Sequence, residues 1–390
     1  MTTKTRLSSQ ILQGLETVLG HIERRPIGLH EPCFQGKEST YTQDCIKSGW
    51  VSSVGQYVDQ FERQLETLTG IPYAVAMVNG TAALHLGLNL IGVTPHDEVL
   101  VPALTFIATA NAVSYCGATP HFVDVCPHTL GVDPEKLENY LNGILDKNGR
   151  NKSTGKRIKA LIVVHTFGHA ADLNALKQVC DRFEITLVED AAESLGSYYN
   201  GLHTGQFGHF TALSFNGNKI VTTGGGGALL THDPELARLA KHMSTTAKKP
   251  HAWEFNHDAI GYNYRLPNLN AALGCAQLEQ LNTFVTQKTR LAEHYRQAFQ
   301  DDTDFEFFTP PSFCQSNHWL NTIILKDALS AERDVILQDC QSKGFQLRPV
   351  WKPLSDLEIY ARTPRMTLDT ATKLKKCILN LPSSSFLARS

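Results

Sequence analysis

Lys219, Asp190, Ser214, Phe106 and Thr81 each lie at or just past the end of a short apolar run. Lys219 stands in SFNGNKIVTTGGGG (214–227). A lone lysine on a polar turn is ordinarily a solvated surface charge. Backed by glycines that admit another group closely, it can instead be an amine nucleophile. Asp190, in VEDAAES, closes an apolar run, where a carboxylate is costly unless a cation pairs with it; capping the following helix would equally account for it. Glu193, three residues on, faces the same way if the segment turns helically. Gly80, Thr81 and Ala82 form a glycine turn that runs into a helix. Its free N–H groups and positive helix end suit a phosphate, although an ordinary turn looks the same. Phe106 opens another helix, as a stacking ring or as core. In combination these are the parts of a pyridoxal 5′-phosphate (PLP) site: a lysine for the carbonyl, a carboxylate for the ring nitrogen, an aromatic face and a phosphate cradle.

Such residues need a scaffold that brings strand ends together. VGQYVDQFERQLETL (54–68) puts Val54, Tyr57, Val58, Phe61, Leu65 and Leu68 on one helical face, stopped by Gly70 and Pro72. Strands are expected at 73–78, 98–102, 121–125, 159–165, 184–190, 209–215 and 227–231, with helices at 81–91 and 106–116. Apolar strands alternating with helices predict an α/β fold with a mainly parallel sheet covered on both faces. Ligands of such sheets sit at the carboxyl ends of the strands. Residues 142–158 are polar and basic and are expected to leave the surface as an excursion. After Pro267 the pattern changes to a long helical stretch at 268–299. A strand near 319–325, a helix near 330–343, FQLRPVW (345–351) and a last helix near 370–380 follow. Two domains are expected, a large one over 1–265 and a smaller α+β one over 266–390.

Bulk properties narrow the class. The chain has 390 residues, 36 basic and 38 acidic, with 42% hydrophobic content. No basic stripe favours nucleic acid, so an acidic substrate must be caught by local groups. The nine cysteines are scattered without a C-x-x-C pair, which predicts reduced thiols and no metal centre. No apolar run reaches the roughly 18 residues of a membrane span, and the N-terminus lacks the apolar core of a signal peptide. A soluble, cytoplasmic protein is expected.

Several segments in order resemble the sugar-nucleotide aminotransferases of the DegT type, a branch of the fold-type I PLP enzymes. They are GWVSSVGQYVDQFE, VNGTAALHLGL, VPALTFIATANAV, LVEDAAESLGS, SFNGNKIVTTGGGG, GYNYRLPNLNAALGCAQLEQL and RPVWKPL, spanning about residues 28–382. The resemblance implies that Lys219 is the Schiff-base lysine and Asp190 the partner of the pyridine nitrogen. It places Gly80, Thr81, Ala82 and Ser214 at the phosphate, Phe106 on the ring and Glu193 by the ring hydroxyl. Asn263 matches a residue given to the phosphate across a dimer interface, which implies a homodimer with shared sites. Many members carry Gln where this chain has Glu193, and T-T-G-E-G-G where it reads TTGGGG. Both variants resemble the subgroup that aminates the 4-keto carbon of UDP-linked 2-acetamido-6-deoxy sugars in bacillosamine- and legionaminic-type pathways. The resemblance also implies glutamate as the amino donor.

Other residues keep two readings. His165 ends KALIVVH, where it could touch substrate or cofactor or serve the structure. Arg348, Trp351 and Lys352 could grip a diphosphate or uracil, or pack the small domain. His251, Trp253 and His257 lie in a polar loop (248–261) that could reach a partner's site; Lys248 and Lys249 there suit solvated charges. A 3-keto substrate, a GDP- or dTDP-linked sugar, and a catalytically silent regulatory protein are the alternatives. Sugar dehydratases of the same fold carry His in place of the lysine, and Lys219 argues against them.

Overall fold

A computed structural model of the protein describes residues 6–388. The apolar runs become β1 (Tyr73–Met77), β2 (Asp97–Pro102), β3 (Thr119–Val123), β4 (Arg157–Val164), β5 (Thr186–Asp190), β6 (Thr211–Ser214) and β7 (Gly227–Thr231). They form a seven-stranded sheet in the order β1-β7-β6-β5-β4-β2-β3. Pairs β6–β5, β5–β4, β4–β2 and β2–β3 are parallel. Only β7 runs against its neighbours, β1 and β6.

Both faces of the sheet are buried, which is why these strands are apolar throughout rather than alternating. Successive side chains point to opposite faces, and the packing follows. Val99, Val101, Ala160, Ile162 and Val188 join one core, whereas Leu100, Leu161, Val163 and Leu187 join another. A third core holds Ala74, Ala76, Ala228 and Leu230 against Tyr57, Val58, Phe61 and Leu65. Those four lie on the buried face of the helix Gln56–Thr69, which ends where Gly70 adopts φ +71° and returns its N–H to the Glu66 carbonyl. Each fully buried side chain of this size contributes about 1.5–3 kcal/mol. Helices Pro134–Ile144 and Pro234–Ser244 begin alike. Asp133 and Asp233 accept backbone N–H groups as caps, and proline takes the first turn where no N–H is needed.

A second, antiparallel sheet is built from Phe305–Phe307, Asn321–Leu325, Ile378–Leu381 and Arg348–Pro349. Its core includes Ile323, Leu379 and Leu381, and also Leu7, Ile11, Leu15 and Leu19 of the first helix, Arg6–Leu19. A boundary between 265 and 266 cuts across this packing, because the amino-terminal helix sits on the carboxy-terminal sheet. In the other direction Ala271, Ala272, Cys275 and Leu278 pack on the large sheet's core. The long helical stretch is two helices, Asn268–Leu278 and Leu281–Ala298, separated at Glu279–Gln280. FQLRPVW joins the second sheet at Arg348–Pro349, and its Phe345 bridges Ile27. The 142–158 excursion is pinned from inside: Asn151 and Thr154 donate to the buried Glu98 carboxylate at 3.0 and 2.5 Å.

Among the described residues no helix is long and apolar enough to cross a membrane. No group of three or more His, Cys, Asp or Glu converges there as a metal site either. All nine cysteines are free thiols.

Candidate active site

β1, β2, β4, β5 and β6 end at one edge of the sheet, where a cavity of about 480 Å³ opens. Its wall includes Gly80, Thr81, Phe106, Asp190, Glu193, Ser214, Lys219 and Trp351 of the expected residues. Asn79, Thr105, Thr109, Asn216, Asn218 and Trp319 are the other polar or aromatic residues of the wall.

Asn79 caps the helix Gly80–Leu90 by accepting the Ala82 N–H at 2.7 Å. The cap fixes the turn and leaves the remaining first-turn N–H groups at the cavity. Close packing explains two glycines here. A Cβ on Gly80 would come within 3.1 Å of the Leu213 carbonyl and of Ser214 Cβ. One on Gly227 would strike the Asn79 carbonyl and Gly80 nitrogen at 2.3–2.5 Å. The last glycine of TTGGGG therefore lets β7 pass the Asn79–Gly80 turn rather than the lysine. Gly225, which falls at the Glu of the T-T-G-E-G-G pattern, has nothing within 4 Å of an added Cβ, so no steric demand selects glycine there.

The loop that carries Lys219 is anchored rather than free. Phe215 and Val221 are fully buried, and Phe215 meets Phe61 edge-on at 5.0 Å. Asn270 donates to the Thr223 carbonyl at 2.8 Å. Lys219 returns its N–H to the Asn216 carbonyl at 3.0 Å, which closes the turn. Its side chain is only 13% exposed, with Nζ 3.5 Å from Glu193 Oε1 and 4.1 Å from the centre of the Trp319 ring.

Two buried carboxyls face this amine. Asp190 ends β5 and receives Thr109 Oγ1 at 2.8 Å and the Ala192 N–H at 3.2 Å. Burial raises its carboxyl above the ordinary range, against the pull of Thr109, the Ala192 N–H and Lys219. Glu193 accepts the Phe167 N–H at 2.8 Å. Burial pushes Glu193 up to about 7, partly opposed by Lys219. Phe167 reaches it from a left-handed turn, φ +59°, followed by Gly168 at φ +93°. A side chain at Gly168 would collide with Asn317.

The remaining expected residues fall elsewhere. His165 is fully buried outside the cavity wall; Nε2 lies 2.9 Å from Glu189, and Nδ1 accepts the Ala171 N–H at 3.3 Å. Both ring nitrogens are thus engaged by the scaffold, so the substrate role expected for it is not supported. Arg348 is exposed, outside the cavity wall, and donates to the Leu347 carbonyl. Ala82 lies one residue behind the wall as the capped N–H. Asn263 is exposed and bridges Thr245 through its backbone. Residues 251–260, including His251, Trp253 and His257, are all exposed. Thr109 and Trp319 escaped the sequence reading. Thr109 is visible only as a hydroxyl one turn past Phe106, and Trp319 carries no local signal.

A capped helix end, a shielded amine and an under-paired buried carboxyl on neighbouring strand ends fit the phosphate, carbonyl and ring nitrogen of PLP. The fold and site define a PLP-dependent transferase. The pattern of the DegT/DnrJ/EryC1/StrS aminotransferase family matches residues 32–390, and the chain belongs to that family. A GDP-perosamine synthase of Caulobacter vibrioides is 35% identical over 363 residues, covering 93% of this chain and 94% of that protein. Another, from Escherichia coli O157:H7, is 35% identical over 335 residues, covering 86% and 87%. A family aminotransferase from Brucella abortus superposes with a TM-score of 0.83 at 29% identity, over 90% of this chain and 91% of that one. Spr1654 of Streptococcus pneumoniae, in its PLP form, gives 0.82 at 26% identity over 91% and 92%. The protein is a PLP-dependent sugar aminotransferase.

Proposed function

We propose that this enzyme moves an amino group from an amino acid, glutamate by family analogy, to a keto carbon of a nucleotide-linked deoxy sugar. The carrying observation is the shielded Lys219 amine 3.5 Å from Glu193 in a cavity that Asp190 also lines. The GDP-perosamine synthases among the relatives support a GDP-linked sugar over the UDP-linked 2-acetamido sugar that the Glu193 and TTGGGG variants suggested. UDP-linked and dTDP-linked keto sugars are the competing substrates.

When bound, PLP supplies an electrophilic carbonyl and an electron-poor ring that stabilises negative charge on the carbon next to nitrogen. Lys219 Nζ is the amine that would hold that carbonyl carbon. With an amino donor in the site, Nζ would be placed to take a proton from the donor's α-carbon, and with the sugar there it would be placed to deliver one to the sugar carbon. Asp190 would keep the ring nitrogen protonated. A cation at that nitrogen supplies the charge partner that its burial otherwise denies it, and Thr109 fixes its other oxygen. The uncapped N–H groups of Gly80 and Thr81, with the hydroxyls of Thr81 and Ser214, would take the phosphate. Phe106 and Trp351 offer aromatic faces to ring and substrate.

Two chains are expected to complete each site. Trp50, Trp253, Phe255 and Ile260 expose large apolar surfaces, which suits a partner subunit, and the exposed Asn263 is available to reach across. Sedimentation of the purified protein as a monomer would remove this part.

The decisive test pairs glutamate with GDP-, dTDP- and UDP-linked keto sugars and detects the amino sugar by mass. Lys219→Ala is expected to lower turnover at least about 10²–10⁴-fold. An unchanged rate would overturn the role of Lys219. A yellow protein bleached by glutamate separates this reading from a silent regulatory protein.

A further inference from the structure

Trp319 lies 101 positions from Asn218 in sequence, yet its indole N–H donates to the Asn218 carbonyl at 2.7 Å. The same ring presents its face to Lys219 Nζ at 4.1 Å. Trp319 therefore holds both the turn that carries the lysine and the amine at its tip. Its neighbour Asn317 holds the other member of the pair: Asn317 Nδ2 donates to the Glu193 and Leu195 carbonyls, each at 2.9 Å.

The two residues are tied to each other, because the Trp319 N–H donates to Asn317 Oδ1 at 2.8 Å. Beneath them lies Lys288, a lysine with 0% exposure on the helix Leu281–Ala298. Its amine donates to the Trp319 carbonyl at 3.2 Å and to the Ser383 carbonyl. Removing that amine would leave buried carbonyls unpaired, so Lys288 locks the backbone on which Trp319 stands.

We propose that residues 317–319, locked by Lys288, form the positioning element that sets where the Lys219 amine sits relative to Glu193. Trp319 is the residue that holds the amine whenever it is not covalently engaged. The proposal rests on Lys219 being the reacting amine. An indole face attracts an ammonium group, and its edge-on N–H bond fixes the turn. Displacing a reacting group by about 1 Å costs on the order of 10²-fold in rate, so an element that sets this distance acts on turnover rather than on binding.

The test reads Lys219 in the apoprotein and turnover in the loaded enzyme. Pulsed acetic anhydride with peptide mass analysis gives the acylation rate of Lys219. Loss of the indole face frees the amine, so Trp319→Leu is expected to label about 2- to 30-fold faster. Trp319→Phe, which keeps a ring and loses the N–H, falls between it and the native protein. Lys288→Met, similar in length without the donor, moves labelling in the same direction. In the loaded enzyme kcat falls in the same order by about 10- to 100-fold at most, with KM within about twofold.

Native labelling rates with native kcat in Trp319→Phe and Lys288→Met overturn the proposal, whether or not Trp319→Leu folds. A raised KM at constant kcat also overturns it, because Trp319 would then be a substrate wall. Neither result touches the role of Lys219, which stands or falls with Lys219→Ala.

Discussion

Glu189 and Asp190 are consecutive residues of β5, both buried, on opposite faces of the sheet, and they have opposite fates. Glu189 takes the Gly205 N–H at 2.7 Å, Phe207 at 2.8 Å and Gly208 at 2.6 Å, with His165 Nε2 at 2.9 Å. Burial alone would raise it, but His165 and these backbone donors hold it below the ordinary carboxylate range. Asp190 has only Thr109 and the Ala192 N–H, and burial carries it upward. A carboxylate saturated with donors has nothing left to offer a ligand. One held by two donors at a cavity wall remains a partner for an incoming cation. The contrast separates scaffold from chemistry more sharply than burial does.

Breaking the saturated side should damage the fold most. Glu189→Ala strands three backbone N–H groups and His165 in the interior. A stability loss of about 3–5 kcal/mol is expected in denaturant unfolding, with near-native turnover per folded molecule. Breaking the open side should do the reverse. Asp190→Asn keeps an acceptor for Thr109 but cannot hold a charged ring nitrogen. Steady-state kinetics should show kcat/KM down about 10²–10³-fold, the size of losing one preorganised electrostatic partner, while the unfolding midpoint of the apoprotein stays or rises. Equal damage to stability by both variants would erase the distinction.

Much of this arrangement was legible in the sequence, for a physical reason. A sheet buried on both faces writes itself as unbroken apolar runs, and its ligand edge is where those runs stop. Position could thus put Lys219, Asp190, Thr81 and Ser214 near that edge, while their roles came from the combination and the family resemblance. His165 could not be sorted, because a strand-end residue reads the same whether it turns toward the cavity or toward Glu189. Trp319 was illegible because tertiary packing, not spacing, brings it to Lys219. The packing of Leu7, Ile11 and Leu15 on the carboxy-terminal sheet was hidden likewise. The caps Asp133-Pro134 and Asp233-Pro234, by contrast, are start signals written in the local sequence.

Glu193 sharpens the comparison through pH, since it belongs to the open side and sits near 7. A carboxyl whose native value lies above its unfolded one makes the folded state bind the extra proton. Its ionisation therefore destabilises the apoprotein as pH rises from about 4.5 toward 7, by up to about 3 kcal/mol. Glu193→Gln removes the titration and can keep the Phe167 bond. Denaturant unfolding of the apoproteins should show similar stability at pH 5 and a more stable variant at pH 8. A parallel pH dependence in both proteins would mean that Glu193 is ionised throughout and belongs with the saturated class.

The smallest expected effect comes from His165, which tests whether proximity to a strand end suffices for a role. Nδ1 accepts the Ala171 N–H, so Nε2 carries the proton that Glu189 receives. His165→Gln can keep a donor toward Glu189 but loses the acceptor for Ala171. The expected cost is that of one imperfectly replaced buried hydrogen bond, about 1–2 kcal/mol in stability. KM for sugar and for amino donor should stay within about twofold, because no hydrogen-bonding atom of the ring is left to face the cavity. A tenfold rise in either KM at unchanged stability, worth about 1.4 kcal/mol, would require the ring to leave Glu189 when substrate binds. The division between the two faces of β5 would then hold only for the resting protein.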